Sequence, residues 1–223
     1  KHNNVTIIRP EMSFKRVVEE KGYPIVSKSV SNCVRLAKQN IADGKDTLRV
    51  RQIRGLEKGS KFNKGKWEFL LDAPFKISDE CCNELKKKPF KRYEKVSNKK
   101  PMMATMAAEG GVRKEAYLKT GCNSFKGGKS QPMGFWTEND VLQYIYENKL
   151  EIPSVYGEII KEEDKYSLTG VKRTGCVFCG FGCHLEKQPN RFVKLKESHP
   201  KLYDYCMDKL DMRTVLDYIG VEY

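Results

Sequence analysis

Two cysteine pairs constrain this chain more than any other feature: the adjacent Cys81-Cys82, and Cys176-Val177-Phe178-Cys179, a C-x-x-C flanked by Gly175 and Gly180. A C-x-x-C turn aims two thiolates at one metal, and flanking glycines let the backbone approach and donate N–H bonds to sulfur. Adjacent cysteines send their side chains in different directions, so both seldom reach one small tetrahedral ion. A cubane spreads its iron corners over a larger volume, which eases that geometry. Cys81, Cys82, Cys176 and Cys179 therefore fit a 4Fe-4S cluster better than a zinc site of four cysteines. Zn, or plain buried thiols, are the competing readings. Cys33 and Cys206 lie in apolar helical patterns and read as core, whereas Cys122 and Cys183 are each either a spare ligand or a reactive thiol. His184 beside Cys183 is a poor base for it, since sequence neighbours seldom face each other.

Eight cysteines also raise the question of compartment. The polar start Lys1-His2-Asn3-Asn4 is no signal peptide, so reduced thiols in the cytoplasm are expected, not disulfides. No apolar run approaches the ~20 residues of a membrane span. The 223 residues suffice for one sizeable domain, or one with a small appendage. A formal net charge of +13 favours polyanions as partners: nucleic acid, nucleotides, or a sulfated or phosphorylated metabolite. Lysines serve solubility as well, and the basic runs lack the interleaved aromatics of a base-stacking groove.

Apolar spacing predicts helices over 14–20, capped by Ser13 and ended by Gly22, and over 30–42. Residues 45–66, basic and glycine-containing, read as a mobile connector or surface segment. Ser78-Asp79-Glu80 opens a helix ahead of Cys81, which Pro89 closes. Further helices are expected over 109–119, from the capping box Thr137…Asp140 to about 148, and at about 190–198, 200–210 and 212–219. Val5–Ile8, Trp67–Leu71 and a buried Pro101–Thr105 read as strands, and 23–26 as a loop or short extended piece. Strands alternating with helices favour an α/β sheet. Lys126-Gly127-Gly128-Lys129-Ser130 imitates a phosphate loop, but Asn123 stands where the motif needs its first glycine, so it reads as a surface turn.

Several blocks resemble the phosphoadenosine phosphosulfate reductase family. They are Ala73–Cys82 followed by Leu85–Pro89, Met106-Ala107-Ala108-Glu109 with Arg113, Gly121-Cys122-Asn123, Phe135–Leu142 with its Trp136-Thr137, and Thr174–Gly182. They occur in the family's order and cover roughly residues 5–200. The resemblance implies an α/β fold of the nucleotide α-hydrolase type, a parallel sheet flanked by helices. An incomplete nucleotide-binding domain would occupy 1–170, with a helical, metal-binding C-terminal segment over 171–223 packed on it. It implies a 4Fe-4S cluster on Cys81, Cys82, Cys176 and Cys179, and an adenine nucleotide or adenylylated substrate lined by Lys86 or Lys87, Glu109 and Arg113. Fixed cations suit a phosphosulfate: Arg binds it in bidentate fashion, and Lys supplies a point charge. The plainer reading makes Lys86–Lys88 a solvated helix end and Arg113 the i+4 partner of Glu109.

Three departures bear on function. The family's S-G-G-x-D-S pyrophosphate loop is missing, which implies an N-terminally truncated member or a partner that supplies that part. An unpaired sheet edge would then favour homo-oligomers. Gly110 stands where the family has Ser. No late E-C-G-x-H-like cysteine exists for a reductase that forms an S-sulfo intermediate. The expected function is a family enzyme of sulfur metabolism, acting on an adenylylated sulfonucleotide. The alternatives are an ATP-dependent sulfurtransferase acting on nucleic acid, and a non-enzymatic basic nucleic-acid-binding protein with a structural metal.

Overall fold

The computed structural model describes residues 4–223, which form a mixed α/β structure of many helices and very short strands. The chain divides into two compact units, one built from the chain up to Arg92 together with Cys176–Tyr223, the other from Tyr93–Gly175. The first unit takes in the C-terminal segment from Cys176, and the units part at 92/93 and 175/176.

The first unit begins with α1 (Phe14–Glu20), whose cap Ser13 accepts a hydrogen bond from Arg16 N at 3.2 Å. Then come β1 (Ile25–Val26), α2 (Lys28–Ala42) and α3 (Leu48–Ile53). Ser31 of α2 is fully buried and donates to Ile25 O at 2.7 Å, fastening the helix to β1. α3 overturns the reading of 45–66 as a mobile connector. Its anchors Val50 and Ile53 are few, but both are buried in the core beside α2. Val5–Ile8 is not a strand: residues 5–10 have no regular structure, and Val5 and Ile7 are exposed. Trp67–Leu71 is not a strand either but part of a 3-10 helix, Gly65–Asp72, that buries Leu70.

The helix that starts at Cys81 does not stop at Pro89. Its second turn is a π turn, Asn83–Lys87, in which Lys88 N reaches back to Asn83 O, and the wider turn leaves room for the proline ring. It continues as α4 (Lys88–Ser97), within which the two units meet in sequence.

In the second unit, α5 (Gly111–Thr120) precedes a hairpin of β2 (Asn123–Ser124) and β3 (Lys129–Ser130), so the glycine-rich segment is a turn and not a phosphate loop. Pro101–Thr105 makes only a single bridge, Met102 to Ser130, and Met102 is exposed, against the buried strand expected there. α6 (Glu138–Glu147) starts at the expected capping box, Asp140 N donating to Thr137 Oγ1 at 3.2 Å and Thr137 N to Asp140 Oδ2 at 2.8 Å. A hairpin of β4 (Ile159–Glu162) and β5 (Lys165–Leu168) turns at Glu163, where φ is 54°, and buries Tyr166.

The chain returns to the first unit through β6 (Gly180–Phe181), α7 (Arg191–Ser198), α8 (Pro200–Asp204), a π turn over Tyr205–Lys209, and α9 (Met212–Tyr218). These helices close the core with Phe192, Met207, Val215 and Leu216. Asn190 caps α7 by accepting from Phe192 N at 2.9 Å and Val193 N at 3.1 Å, while its amide donates to Glu222 O. It is almost wholly buried. Asn190→Ala is expected to destabilise the protein by about 2 kcal/mol, because a cap and a buried acceptor are lost together; a urea midpoint unchanged from wild type would refute this. Among the described residues, the parallel sheet is seen only as the two-stranded β1–β6 pair with a parallel Tyr23–Ile77 bridge beside it.

Candidate metal centre

The two cysteine pairs meet because one short segment, Tyr23–Val26, receives backbone partners on both sides. On one side Tyr23 N donates to Lys76 O at 2.8 Å and Ser78 N to Tyr23 O at 3.0 Å, in a parallel bridge of Tyr23 with Ile77. On the other, β6 pairs in parallel with β1, with Ile25 opposite Gly180 and Val26 opposite Phe181. Ile77 stands four residues ahead of Cys81, and Gly180 follows Cys179 directly, so both pairs hang from the same platform. Both approaches require glycine. A Cβ on Gly22, at φ 116°, would lie 2.6 Å from Lys76 C, and one on Gly180 would lie 2.7 Å from Pro24 O. Val26 itself has φ 59°, a conformation costly for a β-branched residue and sustained here by pairing and burial.

Local contacts fix each pair. Ahead of the tandem cysteines, the buried Ser78 accepts from Glu80 N at 3.0 Å, while Asp79 takes Arg35 and Asn32 of α2, each at 3.3 Å. Behind the C-x-x-C, Cys179 N closes the turn on Cys176 O at 3.1 Å, and Arg191 donates to Cys179 O at 2.8 Å while gripping Glu186. Phe178 points away from this turn into aromatic neighbours, Phe14 and Tyr205. Of these supporting residues, Ser78-Asp79-Glu80 were legible as a helix start, whereas Arg35, Asn32 and Arg191 reach their partners through contacts distant in sequence.

The sulfurs form one electrostatic group. Cys81 Sγ lies 4.0 Å from Cys82 Sγ. Burial first, then Cys82 and Cys179, push the Cys81 thiol up to about 12. Burial likewise raises Cys179, with Cys176 and Cys82 adding to it. The Cys176 sulfur nearby raises the pKa of Lys86, and Cys82 and Cys179 add to it. Four thiols, two of them desolvated, and one ammonium therefore share one neighbourhood, and any metal taken up must displace protons from its ligands. Among the described residues, no group of three or more His, Cys, Asp or Glu side chains stands close enough together to hold a metal ion as placed. The donor set itself, all sulfur with no carboxylate or imidazole, suits thiolate-ligated metals.

The other expected site residues separate. Lys87, on the π turn, is exposed. Glu109 and Arg113 belong to the second unit and pair with each other, Glu109 also accepting from Met106 N at 3.2 Å. That is the helix-start arrangement of the plainer reading. Cys33 and Cys206 are buried in the core as expected. Cys183 is buried too, donates to Gly180 O at 3.1 Å and is pushed up to about 11 by burial, the state of a structural and not a reactive thiol. Cys122 lies in the second unit, half-buried.

No protein-family model matches the chain, and no curated protein or solved structure matches it. What the site can do is therefore argued from its own residues. No helix among the described residues is long and apolar enough to cross a membrane.

Proposed function

We propose that Cys81, Cys82, Cys176 and Cys179 hold a 4Fe-4S cluster, and that the chain acts in sulfur metabolism on an adenylylated sulfonucleotide in the manner of the phosphoadenosine phosphosulfate reductase family. The observation that carries this reading is the attachment of both cysteine-bearing segments to Tyr23–Val26, with the Lys86 ammonium near Cys176. The ordered blocks of resemblance, from Ala73 to Gly182, supply the substrate class. The finer fold, a nucleotide α-hydrolase-like parallel sheet, belongs to the same proposal.

When bound, the cluster supplies a fixed charge beside the sulfuryl group. The chain's own part is binding and orientation. Lys86, on the π turn that follows Cys81 and Cys82, presents an ammonium near the Cys176 sulfur, so one cation serves both substrate and centre. Lys87, one residue on, adds a second cation from the solvent side. Removing Lys86 takes away the cation that serves both partners.

The test is equilibrium binding of adenosine 5′-phosphosulfate and of AMP to the anaerobically purified protein. Wild type is expected to prefer the sulfonucleotide, and Lys86→Gln to weaken it about tenfold, the loss of roughly one charge-assisted hydrogen bond, with little change for AMP. Equal affinity for the two nucleotides would sink the substrate assignment.

A further inference from the structure

The segment from Lys45 to Trp67, which contains no cysteine, is strongly basic. It carries eight Lys or Arg residues against two carboxylates, Asp46 and Glu57. Aromatic rings are set among these cations, against the expectation that the basic runs lack them. Lys61 Nζ and Lys64 Nζ lie 5.2 Å and 5.9 Å from the Phe62 ring centre, and Lys66 Nζ lies 5.1 Å from the Trp67 ring. Phe62 is 53% exposed, and Phe69, whose ring lies 6.0 Å from Trp67, is 41% exposed.

The loop that presents them is built, not loose. Asn63 donates to the carbonyls of Gly55 and Glu57, both at 3.1 Å, and accepts from Gly65 N at 2.9 Å. Lys64 N donates to Gln52 O of the buried face of α3 at 2.8 Å. A Cβ on Gly65 would lie 2.8 Å from Gly55 Cα, so the two arms of the loop touch along their backbones. Phe62 is thus held out at the tip of a closed loop, although it buries little there. Among the described residues, Arg54, Lys58, Lys61 and Lys66 are exposed and form no salt bridge, so their charge is uncommitted.

We infer that this loop binds single-stranded nucleic acid, its free cations following the phosphates while a base stacks on Phe62. A polyanion without bases would use the charge and leave the ring idle. Duplex nucleic acid would hide the base faces that the ring addresses. An exposed aromatic ring among unpaired cations is the combination that unstacked strands exploit. The inference does not rest on the metal centre or on the sulfonucleotide reading, and holds whether or not the cysteines bind metal.

The test is fluorescence anisotropy with labelled 20-mers of oligo-dT and oligo-U, a DNA duplex and heparin, across a salt titration, using the full chain. Binding to a single strand tighter than to the duplex is expected, with log affinity falling linearly with log salt. Preference for one oligomer names the sugar within the same conclusion. Phe62→Ala is expected to weaken single-strand binding about tenfold and leave heparin unchanged, while Phe62→Tyr, which keeps a stacking face, binds as wild type. Lys61→Gln/Lys66→Gln should weaken both ligands and flatten the salt dependence. Because Phe62 is exposed, its replacement tests stacking without removing core. Single-strand affinity unchanged in Phe62→Ala, or no tighter than for duplex, would overturn the inference.

Discussion

Gly180→Ala is expected to strip the candidate centre of metal while all four cysteines remain in place. The added methyl would stand 2.7 Å from Pro24 O, and backbone on both sides fixes that approach. Relief requires β6 to leave β1, and Cys179 directly precedes β6. Overpacking of this kind costs about 2 kcal/mol, but the functional loss should be far larger, since two ligands move away from the other two. Metal content of the purified variant is the readout. It should fall as far as in a double cysteine variant, whereas a fully loaded, well-folded Gly180→Ala protein would show that the β1–β6 pairing does not set the site. Gly22→Ala probes the opposite side of the platform by the same reasoning, through Lys76 and Ile77.

Phe192→Ala should cause the largest loss of stability in the chain, about 4 kcal/mol. Phe192 is fully buried and packs in the cluster that joins β1, α2 and the C-terminal helices. It also follows Arg191, which holds the Cys179 carbonyl, so the cavity left behind would loosen the wall behind the C-x-x-C. Urea denaturation followed by far-UV circular dichroism measures this directly. A loss below about 1 kcal/mol would mean that the C-terminal helices contribute little to the core.

The helices were legible in the sequence because their signals are local. Ser13 and Thr137 with Asp140 act as caps where expected, and the apolar stripe of α2, with Val30, Cys33, Val34 and Ala37 buried, sits on the spacing that predicts it. The strands were not legible. A short apolar run such as Trp67–Leu71 fits a strand or a helical turn equally well, and tertiary packing of Leu70 decided for the 3-10 helix. Val5–Ile8 has β-branched residues but no strand partner among the described residues, and its apolar side chains stay largely in solvent. In α3 the two anchors Val50 and Ile53 were hidden among arginines, so charge masked a packed helix.

The cysteine pairs were legible for a similar reason, since tandem and C-x-x-C spacings carry their meaning within a few residues. How they meet was not, because the platform Tyr23–Val26 makes no chemistry of its own and its pairing partners lie far along the chain. The resemblance named Lys86 or Lys87 without choosing; nearness to Cys176 distinguishes Lys86 from Lys87. Glu109 and Arg113 show the converse case. Their motif is plain in sequence, yet in the structure they satisfy each other.

Iron, acid-labile sulfide and zinc content of the anaerobically purified protein, measured beside a Cys81→Ala/Cys82→Ala variant, tests the central claim most directly. About four irons and four sulfides per chain, lost in the variant, is the predicted result. One zinc without sulfide, or a metal content that the variant leaves unchanged, would contradict it.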